Sequence, residues 1–99
     1  MHLKTISLPK LNNLTPTLES TTLKLMEESG ELAQAIGKLR GMSGETPNKE
    51  WLQSAAKELF DVAQTAISMM FVLEDQYGIN IEEARDTHIK KLISKGYIK

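Results

Sequence analysis

LMEESGELAQAIGKL, residues Leu25–Leu39, carries its apolar side chains at helical spacing and its acids beside them. At about 100° per residue, Leu25, Leu32, Ile36 and Leu39 share one arc of the helix, with Ala35 close by. Glu28 falls on the edge of that arc and Glu31 about 60° further round. A second stretch, KELFDV (Lys57–Val62), repeats the arrangement. There Glu58 lies beside Trp51, Val62 and Met69, and Asp61 again about 60° further. Acidic side chains are seldom left next to a core unless something neutralises them.

Four carboxylates brought face to face would repel strongly. Two charges about 6 Å apart cost roughly 3 kcal/mol at an effective dielectric near 20. A divalent cation relieves this, and an all-oxygen set from Glu and Asp suits Mg²⁺ or Mn²⁺ better than zinc. An isolated E-x-x-E usually means less: each carboxylate pairs with a lysine on its own helix, here Glu27 or Glu31 with Lys24 or Lys38. Two acidic pairs, each at the margin of an apolar face, favour a shared metal site at Glu28, Glu31, Glu58 and Asp61.

KLMEESGELAQA (Lys24–Ala35) followed by KELFDV resembles the MazG-type all-α nucleoside triphosphate pyrophosphohydrolases. Their signature is E-E-x-x-E, a spacer, then E-x-x-D. This chain has Glu27, Glu28 and Glu31, then Glu58 and Asp61, with 26 residues between the halves. The resemblance runs from about Thr17 to Tyr97. It implies Mg²⁺-assisted hydrolysis between the α- and β-phosphates of an NTP or dNTP, releasing monophosphate and pyrophosphate. Glu28, Glu31, Glu58 and Asp61 would then hold the metal, and Glu28 would also serve the attacking water. Glu27, about 100° from it, would orient or deprotonate that water, ligate an outer metal, or simply pair with Lys24 in solvent. Lys24, one turn before Glu28, would steady that carboxylate or meet a phosphate. Lys91 or Lys95 would reach the outer phosphates, as basic residues of the corresponding late helix do in related proteins, or would only complement the C-terminus of their own helix. Trp51, about two turns before Glu58, is a candidate base platform as well as a candidate core residue.

Ninety-nine residues make one domain with a small core. A net charge of −1 gives no electrostatic case for nucleic-acid or membrane binding. The absence of cysteine excludes disulfides and thiolate metal sites, and fits an intracellular protein. No apolar run approaches the ~20 residues that cross a bilayer. MHLKTISLPKLNN lacks the apolar centre of a signal peptide, so a cytoplasmic protein is expected.

The expected architecture is all-α: an N-terminal arm over residues 1–14, then one three-helix domain over residues 15–99. The arm holds His2, Leu3, Ile6 and Leu8 and is interrupted by Pro9; it either packs on a neighbour or stays loose. Thr15 and Pro16 read as cap and first position of the first helix, and Gly41 as its end. Gly30 and Gly37 lie opposite Glu28, which suits either close approach of another helix or simple tolerance. After a polar loop (Met42–Glu45), Thr46-Pro47 repeats the entrance, and the second helix runs to Tyr77 before Gly78. Besides the stripe of Trp51, Ala55, Val62, Met69 and Leu73 it carries another of Phe60, Ala63, Ile67 and Phe71. A helix so apolar needs cover on several sides. A homodimer with a four-helix core, or a dimer of dimers, would supply it, and the family resemblance points the same way. The methionines read as packing residues. Asn80 and Glu83 form a capping box for the third helix, whose inner face is Ile81, Ala84, His88, Ile89 and Leu92, with His88 read as a core histidine.

Two other functions compete. Phosphoribosyl-ATP pyrophosphohydrolases are of similar size and fold, but typically carry a histidine-bearing aromatic motif after E-x-x-D, where this chain has VAQTAISMM. The other is a non-catalytic dimerisation module stabilised by metal. Neither histidine stands in an E-x-x-H pair, which disfavours a di-iron bundle.

Overall fold

The computed structural model describes residues 4–42, 44 and 50–99. Three helices follow in order, α1 (Leu18–Arg40), α2 (Trp51–Tyr77) and α3 (Ile81–Ser94), with no strand among the described residues. The fold is therefore all-α, as expected.

Helix α1 begins two residues later than the Thr15-Pro16 reading. Thr17 is the N-cap: its hydroxyl accepts from Ser20 N–H (3.0 Å), while Ser20 Oγ accepts from Thr17 N–H (2.9 Å). This reciprocal pair satisfies two otherwise unbonded donors, and so decides the boundary over a proline at the first position. At the other end Gly41 takes φ 69°, and the N–H of Met42 reaches the carbonyl of Gly37 at 2.8 Å. That is the left-handed closure glycine makes cheaply. Gly78, at φ 68°, ends α2 in the same way. The Thr46-Pro47 entrance to α2 lies outside the described residues, as do His2 and Leu3 of the arm.

α1 and α2 pack antiparallel. Gln76, at the end of α2, donates to the carbonyl of Pro16 before α1 (2.9 Å). At the opposite end the Lys38 ammonium sits 4.6 Å above the Trp51 ring. Between these ends, among the described residues, Ala35, Ala55 and Val72 are the buried apolar ones, and no large side chain is fully enclosed. Leu25, Leu32, Leu39, Trp51, Val62 and Met69 are half-buried. Buried Thr21 and Thr65 donate to carbonyls one turn back in their own helices, Thr17 (2.8 Å) and Asp61 (3.0 Å).

α3 packs on α2 and not on α1. Asn80 caps it, accepting from Glu83 N–H at 3.0 Å, but Glu83 returns no bond, so the expected capping box is half made. Nothing on α3 is buried: Ile81, Ile89 and Leu92 are half-covered, whereas Ala84 and His88 are exposed. His88 is thus not a core residue. With only one helix beside it, α3 has no pocket in which to bury an imidazole.

The chain measures 47 × 39 × 19 Å, with a radius of gyration of 16.5 Å against about 13 Å for a compact chain of this length. Its thin dimension is close to two helix diameters. Of the second stripe expected on α2, Phe60 is exposed and Phe71 faces the arm. The helix carries a third (Leu52, Leu59, Met70 and Tyr77, with Ala63 and Ala66 between), turned about 110° from the one that meets α1. Its large members are exposed, Leu59 by 54% and Met70 by 45%.

Candidate metal centre

Antiparallel packing sets Glu28 and Glu31 of α1 against Glu58 of α2. One carboxylate oxygen from each of the three lies within 4.8 Å of the others. Glu28 is buried (6% exposed), Glu58 half-buried and Glu31 exposed, so the cluster grades from core to surface. Glu28 uses one oxygen, Oε1, to accept from the Lys24 ammonium at 3.0 Å. Its Oε2 and the Oε2 of Glu58 are buried without a hydrogen-bond partner. Such atoms are rare in folded proteins, because the lost hydration is not returned.

The electrostatics agree with the geometry. Lys24 is held above the ordinary lysine pKa, first by its hydrogen bond to Glu28 and then by the charges of Glu27 and Glu28. The Glu31 carboxyl is pushed above its ordinary range, chiefly by the negative charge of Glu28, then by desolvation and by Glu58. Glu31 makes no salt bridge with a lysine or arginine among the described residues; Lys24 takes Glu28 and Glu27 (3.6 Å), and Lys38 lies over Trp51. One half-exposed lysine beside three clustered acids leaves the cluster negative. The donors are all carboxylate oxygens, two of them buried and unsatisfied, and this fits a hard divalent cation.

The remaining residues singled out in the sequence separate into two groups. Asp61 stands one turn beyond Glu58, exposed, and its carboxylate is not among the three that converge. Asp61, Glu28 and Lys24 instead border a cavity of about 740 Å³ that runs between α1, α2 and the N-terminal arm. Glu27 is not among the three that converge and is exposed beside Lys24. Trp51, Lys91 and Lys95 do not line the cavity. Trp51 lies at the other end of the α1–α2 pair, and both lysines are exposed on α3 or at its end.

Sequence reasoning missed the arm's part in the site. Gln64 donates to the carbonyl of Pro9 (2.8 Å), and Lys10 pairs with Asp75 (2.8 Å) while lying 4.7 Å from the Phe71 ring centre. The available signal was Leu11 and Leu14, two apolar residues among asparagines.

Within this all-α fold, two helices set an E-x-x-E of α1 against a glutamate of α2, an acidic centre suited to a cation. The MazG nucleotide pyrophosphohydrolase domain matches residues 16–96, and the chain belongs to that family. It is 36% identical over 76 residues to the uncharacterized protein YvdC of Bacillus subtilis (strain 168), covering 72% of this chain and 68% of that protein. No solved structure matches. Family membership points to nucleotide pyrophosphohydrolase activity. No described helix is long and apolar enough to cross a membrane.

Proposed function

We propose that this protein hydrolyses a nucleoside or deoxynucleoside triphosphate between its α- and β-phosphates, with Mg²⁺ as cofactor and Mn²⁺ as a substitute. The observation that carries this reading is the pair of buried, unpartnered oxygens on Glu28 and Glu58, set beside Glu31. Glu28, Glu31 and Glu58 hold the cation, with Asp61 added from the bordering cavity. Bound there, Mg²⁺ supplies charge neutralisation for the phosphates and a more acidic water. Lys24 holds Glu28 by one oxygen and leaves the other directed to the cluster.

In the reaction the oxygen of water forms one P–O bond. The bridging oxygen of the α–β anhydride leaves with its electron pair, and one proton is released to a carboxylate. Glu27 is the exposed acceptor beside Lys24 and the residue we assign to that proton. A phosphate role for Lys91 and Lys95, which do not line the cavity, rests on the family resemblance alone. A nucleotide substrate accords with the cytoplasmic location expected from the sequence.

The active form is a dimer of this chain. A layer two helices thick, with a stripe of Leu52, Leu59, Met70 and Tyr77 turned outward, lacks a second layer. A second copy packed along that stripe completes a four-helix core. The test of function is a panel of the canonical NTPs, dNTPs and phosphoribosyl-ATP with Mg²⁺, the products resolved by ion exchange. Monophosphate and pyrophosphate from a nucleoside triphosphate are expected. Turnover of phosphoribosyl-ATP alone, or of nothing in the panel, would refute the proposal.

A further inference from the structure

We infer that the N-terminal arm, Lys10–Pro16, is a wall of the site and that the cavity behind it receives the nucleoside part of the substrate. The inference rests on the pyrophosphohydrolase reading and goes beyond it in saying where the base and sugar lie.

The arm has no secondary structure of its own, yet it is fixed along α2. Gln64 and Gln76 each donate a side-chain amide to an arm carbonyl, of Pro9 (2.8 Å) and Pro16 (2.9 Å). Between them the Lys10–Asp75 ion pair and the Lys10–Phe71 contact hold the strand at a third point. These ties span twelve residues of α2, or about 18 Å of helix. A segment pinned at both ends should lay its leucines on the helices beneath. Instead Leu11 and Leu14 stay 40% and 65% exposed, and the arm stands off α1 and α2 around a space of about 740 Å³. Ligand sites commonly have volumes of about 300–1,000 Å³.

The walls of that space are graded. Lys24, Glu28 and Asp61 lie toward the acidic cluster; further along α2 the space is lined by Leu11, Leu14, Phe71 and Val72, with the neutralised Lys10–Asp75 pair and Gln76 beside them. Ser20 and Ser68 also line the space, the Ser20 hydroxyl being bonded to Thr17. From the level of Asp61 to that of Phe71 is about 15 Å along α2. A ligand that is polyanionic at one end and a flat, weakly polar heterocycle at the other matches this order: phosphates at the cation, base against leucine and phenylalanine. Trp51 lies on the far side of Glu58 with its ring under Lys38. The arm and Phe71 therefore take the base-binding part.

The test compares two ligands of the full-length protein in Mg²⁺ by calorimetry: an α,β-imido nucleoside triphosphate, which resists cleavage, and inorganic tripolyphosphate, which has no nucleoside. The double substitution Leu11→Asn, Leu14→Asn changes exposed side chains, and Ser68→Phe fills the space from α2 instead. Each is expected to weaken the nucleotide by about tenfold or more while leaving tripolyphosphate within about twofold. Amide resonances of Lys10–Thr15 should move with the nucleotide and not with tripolyphosphate. Equal loss for both ligands, or no loss for either with unmoved arm resonances, overturns the arm's role. In that case the hydrolase reading still stands if the wild-type protein cleaves nucleotides. A wild-type protein that binds neither ligand overturns both.

Discussion

Replacing Glu58 by glutamine tests the metal centre with an inverted sign: the variant should fold more stably than the parent when cations are removed. The carboxylate oxygens of Glu28 and Glu58 lie within 4.8 Å. At an effective dielectric near 20, full charges at that separation repel by about 3.5 kcal/mol. Glutamine keeps the shape, removes one charge, and places an N–H donor beside the unpartnered Oε2 of Glu28. Ordering that amide takes back part of the gain, so a net stabilisation of about 1–3 kcal/mol is expected. For a chain of 99 residues each kcal/mol is about 4–8 °C in Tm. Thermal melts in EDTA should therefore rise by at least about 5 °C. In saturating Mg²⁺ the order changes, because a cation at a hundred times its Kd adds about 2.7 kcal/mol to the parent and less to the variant. Hydrolysis should fall roughly hundredfold or more, since a ligand of the catalytic cation is lost. Melts at one fixed protein concentration are required, because association also moves Tm. A variant less stable than the parent in EDTA, or an equal Mg²⁺ shift in both proteins, would refute the cage of mutually repelling carboxylates.

The raised pKa of Glu31 makes stability without metal depend on pH. Because the folded state holds this proton more tightly than the unfolded chain, the contribution is full below the ordinary carboxylate pKa and is lost as pH rises through the raised value. Melts in EDTA from weakly acidic to neutral pH should show the fall, and Glu31→Gln should flatten it; an unchanged profile in that variant contradicts the assignment. Over the same window Mg²⁺ affinity should increase, since the cation competes with that proton. A Cβ at Gly30 meets nothing within 4 Å, so Gly30→Ala should stabilise α1 by about 1 kcal/mol in urea titrations. A loss instead would mean that another helix approaches there. Met70→Glu, on the outward stripe of α2, should shift the sedimentation mass from twice 11.1 kDa to 11.1 kDa; a dimer that survives it uses a different face.

Helix content, the ends at Gly41 and Gly78 and the Asn80 cap were legible because each is a local event, set by side chains within one turn of the residue concerned. The family was legible for a similar reason: its acids come in short fixed spacings, and the match over residues 16–96 confirms it. The convergence of Glu28, Glu31 and Glu58 followed from helical phase once α1 and α2 were taken to pack together. Phase gives an angle but no depth, however, so it could not separate Glu58 from Asp61, which is on the same side and exposed. The start of α1 was misplaced because proline is a good first residue and Thr17–Ser20 carries no acidic partner to advertise a capping box. The arm was not legible at all. Its ties join positions 55, 60 and 65 residues apart, through glutamine amides and one ion pair that leave no periodic trace.

The acidic cluster and the thin fold bear on each other. Small domains are stable by about 5–15 kcal/mol in total, and three small buried apolar residues contribute little of that. Against such a margin a repulsion of about 3.5 kcal/mol between Glu28 and Glu58 is a large defect. It cannot be relieved by moving the helices apart, because the same α1–α2 contact buries Ala35, Ala55 and Val72. If a cation sits at the glutamates and a second copy on Leu59 and Met70, as proposed, both act on α2, from faces about 110° apart. Whatever tightens α1 against α2 brings the carboxylates closer and raises the affinity for the cation; the bound cation, in turn, favours the packed pair. Metal binding and association are then thermodynamically linked, and each should strengthen the other by the same factor. Sedimentation of the protein near its dissociation constant, with and without Mg²⁺, reads that factor directly: Mg²⁺ should lower the dimer dissociation constant, and a constant independent of Mg²⁺ would show that the two sides of α2 do not communicate.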